Sequence, residues 1–233
     1  MKKAEFDKFA DEYAALHTAG ITISGEGPEY FAEYKIMDIA YEYGRHSHLV
    51  NSPVRILDFG SGIGGSIPHV HKHFSSAHLT CLDLSQRSLE IAEKRFPSLA
   101  QYVHFDGVHI PFPSDCFDIG YAMCVFHHID HTEHVSLFKE LHRVIRPGGF
   151  LFVFEHNPYN PLTVHVVNNC VFDENARLIR GADMKRQLLA ASFASVKIRY
   201  RVFFPHFLKA LRPLEKVLTW LPLGGQYYAL SSK

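Results

Sequence analysis

From residue 54 onward the apolar positions fall into short, nearly solid runs separated by stretches of mixed spacing. Runs at 54–59, 78–82, 101–105, 117–124 and 150–155 are short and mostly apolar, as in strands covered on both faces. Between them, 65–75, 85–96 and 132–144 repeat apolar residues every three or four positions, which predicts helices. Strands alternating with helices of this length predict an α/β chain, a doubly wound parallel sheet with helices on both faces. Upstream, Phe6, Phe9, Ala10, Tyr13 and Leu16 give 5–17 one apolar stripe, and a second helix runs from about Glu29 to Tyr43. Downstream, 183–193 reads as a helix, 195–204 as a strand and 226–230 as a short last strand. The stretch 205–224 between the last two strands contains Pro205, Pro213 and Pro222 and much apolar surface. No repeat or linker divides the chain, so the expectation is a single domain over 1–233. It comprises an N-terminal helical extension (1–50), a core (54–156) and an insertion (205–224).

Composition narrows this only a little. With 24 basic and 24 acidic residues and 47% hydrophobic residues, the chain is neither disordered nor a histone-like polyanion binder. No apolar run approaches the ~20 residues of a membrane-spanning helix. The start, Met1-Lys2-Lys3-Ala4-Glu5, has no apolar leader, and the four cysteines form no CxxC pair. A cytoplasmic location with reduced thiols is therefore expected. The neutral total hides an asymmetry: 1–50 holds five Lys/Arg against nine acids, and 176–233 holds eleven against two. A basic tail of this kind meets an anionic substrate or membrane surface, or is simply a solvated face.

The strongest chemical signal is Val54-Arg55-Ile56-Leu57-Asp58-Phe59-Gly60-Ser61-Gly62-Ile63-Gly64-Gly65. A buried strand runs into a glycine-rich turn and then a helix, so backbone can approach a ligand at a helix start. Gly60, Gly62 and Gly65 also satisfy the dinucleotide fingerprint GxGxxG. Asp83 ends the next strand, where a carboxylate can accept both hydroxyls of a ribose; capping the following helix is its bland alternative. Further on come His104-Phe105-Asp106-Gly107, then a strand ending in Cys124-Val125-Phe126-His127-His128, then Arg146-Pro147-Gly148-Gly149 before the strand Phe150–Glu155.

Together these motifs resemble the class I S-adenosylmethionine-dependent methyltransferases of the small-molecule group, over about residues 54–156. A nicotinamide dehydrogenase would explain the glycine turn and Asp83 but not the Arg-Pro-Gly-Gly segment. The resemblance implies a Rossmann-like, mostly parallel seven-stranded sheet with an antiparallel last strand, and S-adenosyl-L-methionine as cofactor. By matching position, Gly60, Ser61, Gly62 and Gly64, backed by Asp58, would hold the methionine part. Asp83 would take the ribose, Leu84 the adenine face, and Asp106 with Gly107 the adenine amino group. Cys124 would line the sulfonium side, and Tyr13 would belong to an aromatic lid over the cofactor formed by the N-terminal helices. Lys35 could reach the methionine carboxylate, with a surface lysine as the default.

A hydroxyl or protonated-amine acceptor must also lose a proton, and histidine suits that task. His128, His156 and His127, in that order, are the candidates, because they end strands at the ligand-binding edge of the sheet. Catalysis by proximity alone is the alternative. His69 and His73 sit four apart, and His127, His128, Asp130, His131 and His134 form a cluster. Neither has the spacing of a known zinc motif, so exposed histidines and no metal are expected. The acceptor is a small molecule, methylated at oxygen or else at carbon or nitrogen, with an anionic or lipid-like part. Nucleic acid is not expected as a partner, peripheral membrane contact stays open, and the oligomeric state is not legible. The competing functions are a cofactor-binding accessory protein without turnover and an NAD(P)-dependent oxidoreductase.

Overall fold

The computed structural model describes residues 25–46, 53–170, 173 and 175–233. The expected helix at 5–17, and Tyr13 with it, lies outside the described residues. A long helix α1 (Pro28–His46) is followed by β1 (Val54–Phe59), α2 (Ile67–His73), β2 (Ala77–Asp83), α3 (Gln86–Arg95) and β3 (Gln101–His104). Then come β4 (Phe117–Met123), α4 (His134–Val144), β5 (Ile145–His156), α5 (Pro161–Asn168), α6 (Gly181–Ala190) and β6 (Ser195–Arg201). A 3-10 segment (His206–Leu214), the single turn α7 (Glu215–Leu218) and β7 (Gln226–Ser232) complete the order.

The strands form one seven-stranded sheet in the order β3-β2-β1-β4-β5-β7-β6. β7 is antiparallel to both neighbours and all other pairings are parallel. Side-chain alternation along β5 shows why both faces need cover: Leu151 and Val153 join one buried cluster, Phe152 and Phe154 the other. The first cluster is closed by α4 and α6 through Phe138, Leu141, Met184 and Leu188. The second is closed by α1, α2 and α3 through Ile36, Ile39, Val70 and Leu89.

Three sequence expectations change. Of the stretch 1–50 read as a lid, α1 is a core helix, with Ile36 and Ile39 fully buried and Tyr34 donating to Gln226 across the sheet. Arg146-Pro147-Gly148-Gly149 does not precede β5 but forms an irregularity within it. Pairing passes from Phe117↔Ile145 to Ile119↔Phe150, so extra residues of β5 bulge outward. Gly149 lies so close to β4 that a Cβ there would stand 2.8 Å from the Asp118 carbonyl oxygen. The helix α5 is started by Pro161 in its first turn and capped by Asn160, which accepts from Thr163 N. The histidine cluster, lastly, is not a set of exposed side chains. His134 is fully buried and bonded to the Phe126 and Ile129 carbonyls, and His69 is buried against Glu29. Among the described residues no helix is long and apolar enough to cross a membrane.

Candidate functional site

The carboxyl ends of β1, β2 and β4 converge on the glycine turn. Gly60 N and Ser61 N both donate to the Leu82 carbonyl, at 2.8 and 3.2 Å, which ties the turn to the end of β2. Asp83 finishes the clamp: its carboxylate accepts from Gly62 N at 2.8 Å and from Ser85 N at 2.8 Å. Gly60 has a positive φ of 76°, and a Cβ there would stand 2.6 Å from Val125 Cγ2. Gly62, also at positive φ, has nothing within 4 Å of that position, so the turn presents open backbone on its outer side. Leu84 and Gly107 are brought together as well, with Leu84 Cδ1 3.3 Å from where a Gly107 Cβ would lie. This backbone cradle, flanked by a carboxylate and an apolar side chain, fits an adenosine with an amino-acid tail. Ser85, not Asp83, caps α3, accepting from Ser88 N.

Two predicted cofactor residues sit differently. Asp58 is buried and accepts from Ser66 Oγ at 2.5 Å and Tyr121 Oη at 3.0 Å. It holds the turn from beneath. Asp106 is exposed and folds back on its own loop, accepting from Val108 N and His109 N, and those amides hold its carboxyl below the usual range.

Burial pushes the Asp58 carboxyl up from 3.8 to about 7, against the Ser66 and Tyr121 bonds that favour its charged form. A group that binds its proton more tightly when folded adds stability that is complete below its unfolded pKa and lost as pH rises through its folded one. Unfolding by denaturant at about pH 5 and about pH 8 should therefore show stability falling with pH between them. The fall should shrink in Asp58→Asn; an identical slope in both proteins would place that titration elsewhere.

Beyond β4 lies a second set of polar groups. Cys124, in the left-handed region at φ 59°, turns the chain into a 3-10 turn, Phe126–His128. His127 is buried between two carboxylates, with Nδ1 2.5 Å from Glu155 Oε2 and Nε2 3.4 Å from Asp173 Oδ1. Burial works against a charged ring, yet Glu155 and Asp173 outweigh it and push His127 up to about 10. Both ring nitrogens face carboxylates, so the surroundings favour the charged ring. His128 is pushed the other way, to about 3, by burial and by the charge on His127. Its Nε2 lies 3.5 Å from the same Asp173 oxygen. The donor atoms of His127, His128 and Asp173 lie within 4.8 Å of one another and are of metal-ligand type, a grouping that sequence spacing did not reveal.

Lys35 is a buried side chain of α1, with Nζ 3.3 Å from Cys124 Sγ, and not the surface lysine taken as the default. Burial alone would raise the Cys124 thiol, but Lys35 and then His156 bring it down to about 6. The sequence thus brings His127, His128, His156 and Cys124 to one place, beside Val125 where it packs on Gly60. Glu155 and Asp173 were missed as members, and Lys35 was considered only for the methionine carboxylate, with the surface as its default. Strand alternation could have found Glu155, which shares a face with Val153, and the spacing Phe31–Lys35–Ile39 could have found Lys35. Nothing in sequence marks Asp173.

Residues 57–153 match the family model described as "Methyltransferase domain". Among curated proteins the chain is similar to a sterol 24-C-methyltransferase of Gibberella zeae, 29% identical over 164 residues, covering 62% of this chain and 42% of that protein. The chain spans less than half the length of the curated relatives it matches. Among solved structures, a methyltransferase of Thermotoga maritima described as a possible histamine N-methyltransferase aligns with TM-score 0.68 at 18% identity, covering 99% of both chains. A phosphoethanolamine N-methyltransferase of Haemonchus contortus, solved with S-adenosyl-L-methionine, aligns with TM-score 0.66 at 16% identity, covering 98% of this chain and 60% of that one.

Proposed function

We propose, from the premise that this chain carries the domain of the class I S-adenosylmethionine-dependent methyltransferases, that it methylates a small organic acceptor at oxygen. The observation that carries the reading is the glycine turn, tied to Leu82 and braced by Asp83 at the carboxyl edge of the sheet. Gly60, Ser61, Gly62 and Gly64 would hold the amino-acid end of the cofactor, and Asp83 the ribose hydroxyls. Leu84 and Gly107 would flank the adenine, while Asp106 would have to leave its own loop amides to reach it. S-adenosylmethionine, when bound, supplies a methyl group already activated on a sulfonium.

What remains for the protein is to place the nucleophile, exclude water and receive a proton. Cys124 and Lys35 lie at the end of β4, on the side assigned to the sulfonium. His128 is the proton acceptor of choice, because burial and then the neighbouring His127 favour its neutral ring. That imidazole would receive the O–H proton of the acceptor. His156, which touches the same cluster, is the second candidate. His128→Ala should lower kcat about a hundredfold, the low end for a general base, because its basicity is weak. Cofactor affinity should not change, and full activity in the variant would remove the proton-acceptor role. The reading as a whole is tested by calorimetry with S-adenosylmethionine, its demethylated product and NAD. One-site binding of the first two and none of the third is expected. Saturable NAD binding would favour the oxidoreductase, and cofactor binding with no turnover on any acceptor the accessory protein.

A further inference from the structure

The segment joining β6 to β7 is built inside out. Its acidic residue, Glu215, is only 5% exposed; it accepts from Phe203 N and Phe204 N and faces Arg201. Arg212 likewise turns inward, donating to Glu26 at 2.6 Å with its guanidinium 4.5 Å above the Tyr30 ring. The apolar side chains take the solvent side: Phe207 is 80% exposed, Trp220 69%, Val217 67% and Leu214 50%. A surface segment normally does the reverse. The patch continues onto the start of α5, because Asn157 donates to the Pro222 and Gly224 carbonyls and Asn160 to that of Leu223. Leu162 there is 60% exposed. Nine of the fourteen large exposed apolar residues among the described residues lie on this one surface, a concentration that marks an interaction site.

We propose that this surface docks on an anionic lipid bilayer. The charge pattern selects that occupant. Between Val202 and Gln226 the only acid is the buried Glu215, whereas Lys209 and Lys216 are exposed among the apolar side chains. Lysines beside an aromatic and aliphatic face are the composition of interfacial segments, whose apolar side sinks to the acyl boundary while ammonium groups meet lipid phosphates. A second copy of this chain fits less well, since self-association through the face would bring lysines of one protomer against those of the other. Asn157 and Gln226 tie this surface to the ends of β5 and β7, the edge that carries the polar cluster. A bilayer-dissolved acceptor would therefore arrive beside that cluster; this last point rests on the proposed methyl transfer, and the docking itself does not.

Trp220 is the chain's one tryptophan, so its fluorescence reports on the surface directly. The full chain should sediment with vesicles of phosphatidylcholine mixed with phosphatidylserine, with a blue shift of the Trp220 emission. It should bind pure phosphatidylcholine vesicles far more weakly, and high salt should reverse the difference. Replacing Lys209→Gln and Lys216→Gln together should weaken anionic-vesicle binding at least about tenfold. Phe207→Ser with Val217→Ser should weaken it as much, and neither pair should alter S-adenosylmethionine affinity. Equal binding to both vesicle types, or no sedimentation and no emission shift, would overturn the proposal. So would a concentration-dependent dimer abolished by Phe207→Ser, which would assign the face to a second copy. Cofactor affinity measured on the same preparations keeps a failure here separate from a failure of the methyltransferase reading.

Discussion

Asp83→Ala should abolish measurable cofactor binding, with affinity falling by about a hundredfold to a thousandfold. The carboxylate has two jobs in one place. It receives the Gly62 and Ser85 amides at 2.8 Å, and on the proposed reading it also receives the ribose hydroxyls. Hydrogen bonds to a charged acceptor contribute about 1.5–3 kcal/mol each, so losing a bidentate contact alone accounts for the expected range. The freed Gly62 amide adds to it, because the turn must then be ordered at the moment of binding. Asp83→Asn keeps a carbonyl acceptor and loses the charge, and should fall between the two. Calorimetric titration of the three proteins decides the matter: unchanged affinity in Asp83→Ala would remove the ribose assignment.

The largest effect on stability should come from Glu155→Ala. Glu155 is fully buried, accepts from Phe126 N at 2.8 Å and pairs with His127 Nδ1. Removing one partner of a buried ion pair leaves the other charge without compensation, at a cost of about 3–5 kcal/mol. A domain's whole stability is about 5–15 kcal/mol, so the melting temperature should drop by about 10 °C or more. Glu155→Gln retains an acceptor for Phe126 N and should recover part of the loss. Denaturant unfolding checks both; a Glu155→Ala protein as stable as the parent would mean that water reaches the pair.

The fold was readable where local pattern and burial agree. β1, β2, β4 and the helices between them follow from solid apolar runs and from three- and four-residue spacing. The glycine turn declares itself because only glycine tolerates positive φ against Val125. Reading failed where tertiary contact overrides local chemistry. Pro147-Gly148-Gly149 breaks strands in isolation, yet Ile145 still pairs with Phe117, so β5 begins earlier and absorbs the irregularity as a bulge. Lys35 looks like a surface residue because charge is expensive to bury, and its position becomes intelligible only once the Cys124 thiol is known to lie beside it. His127 and His128 are neighbours in sequence, yet their surroundings push their pKa values in opposite directions. Glu155 and Asp173, 28 and 46 residues further along, raise His127, while burial and the charge on His127 lower His128.

The place of β7 has a consequence for how the chain is made. Of the seven strands of the sheet β7 is synthesised last, and yet it lies between β5 and β6. Until it emerges, β5 offers an unpaired edge along Phe150–His156, and β6 has no neighbour at all. About 70 residues separate the two partners, a delay on the order of ten seconds at ordinary rates of translation. For that interval a nascent chain carries an apolar, unpaired strand edge, the feature most prone to pair with another chain. Ribosomes stalled just before Gln226 should therefore hold chains whose β1–β5 half is formed but open, and these should be the species that chaperones engage.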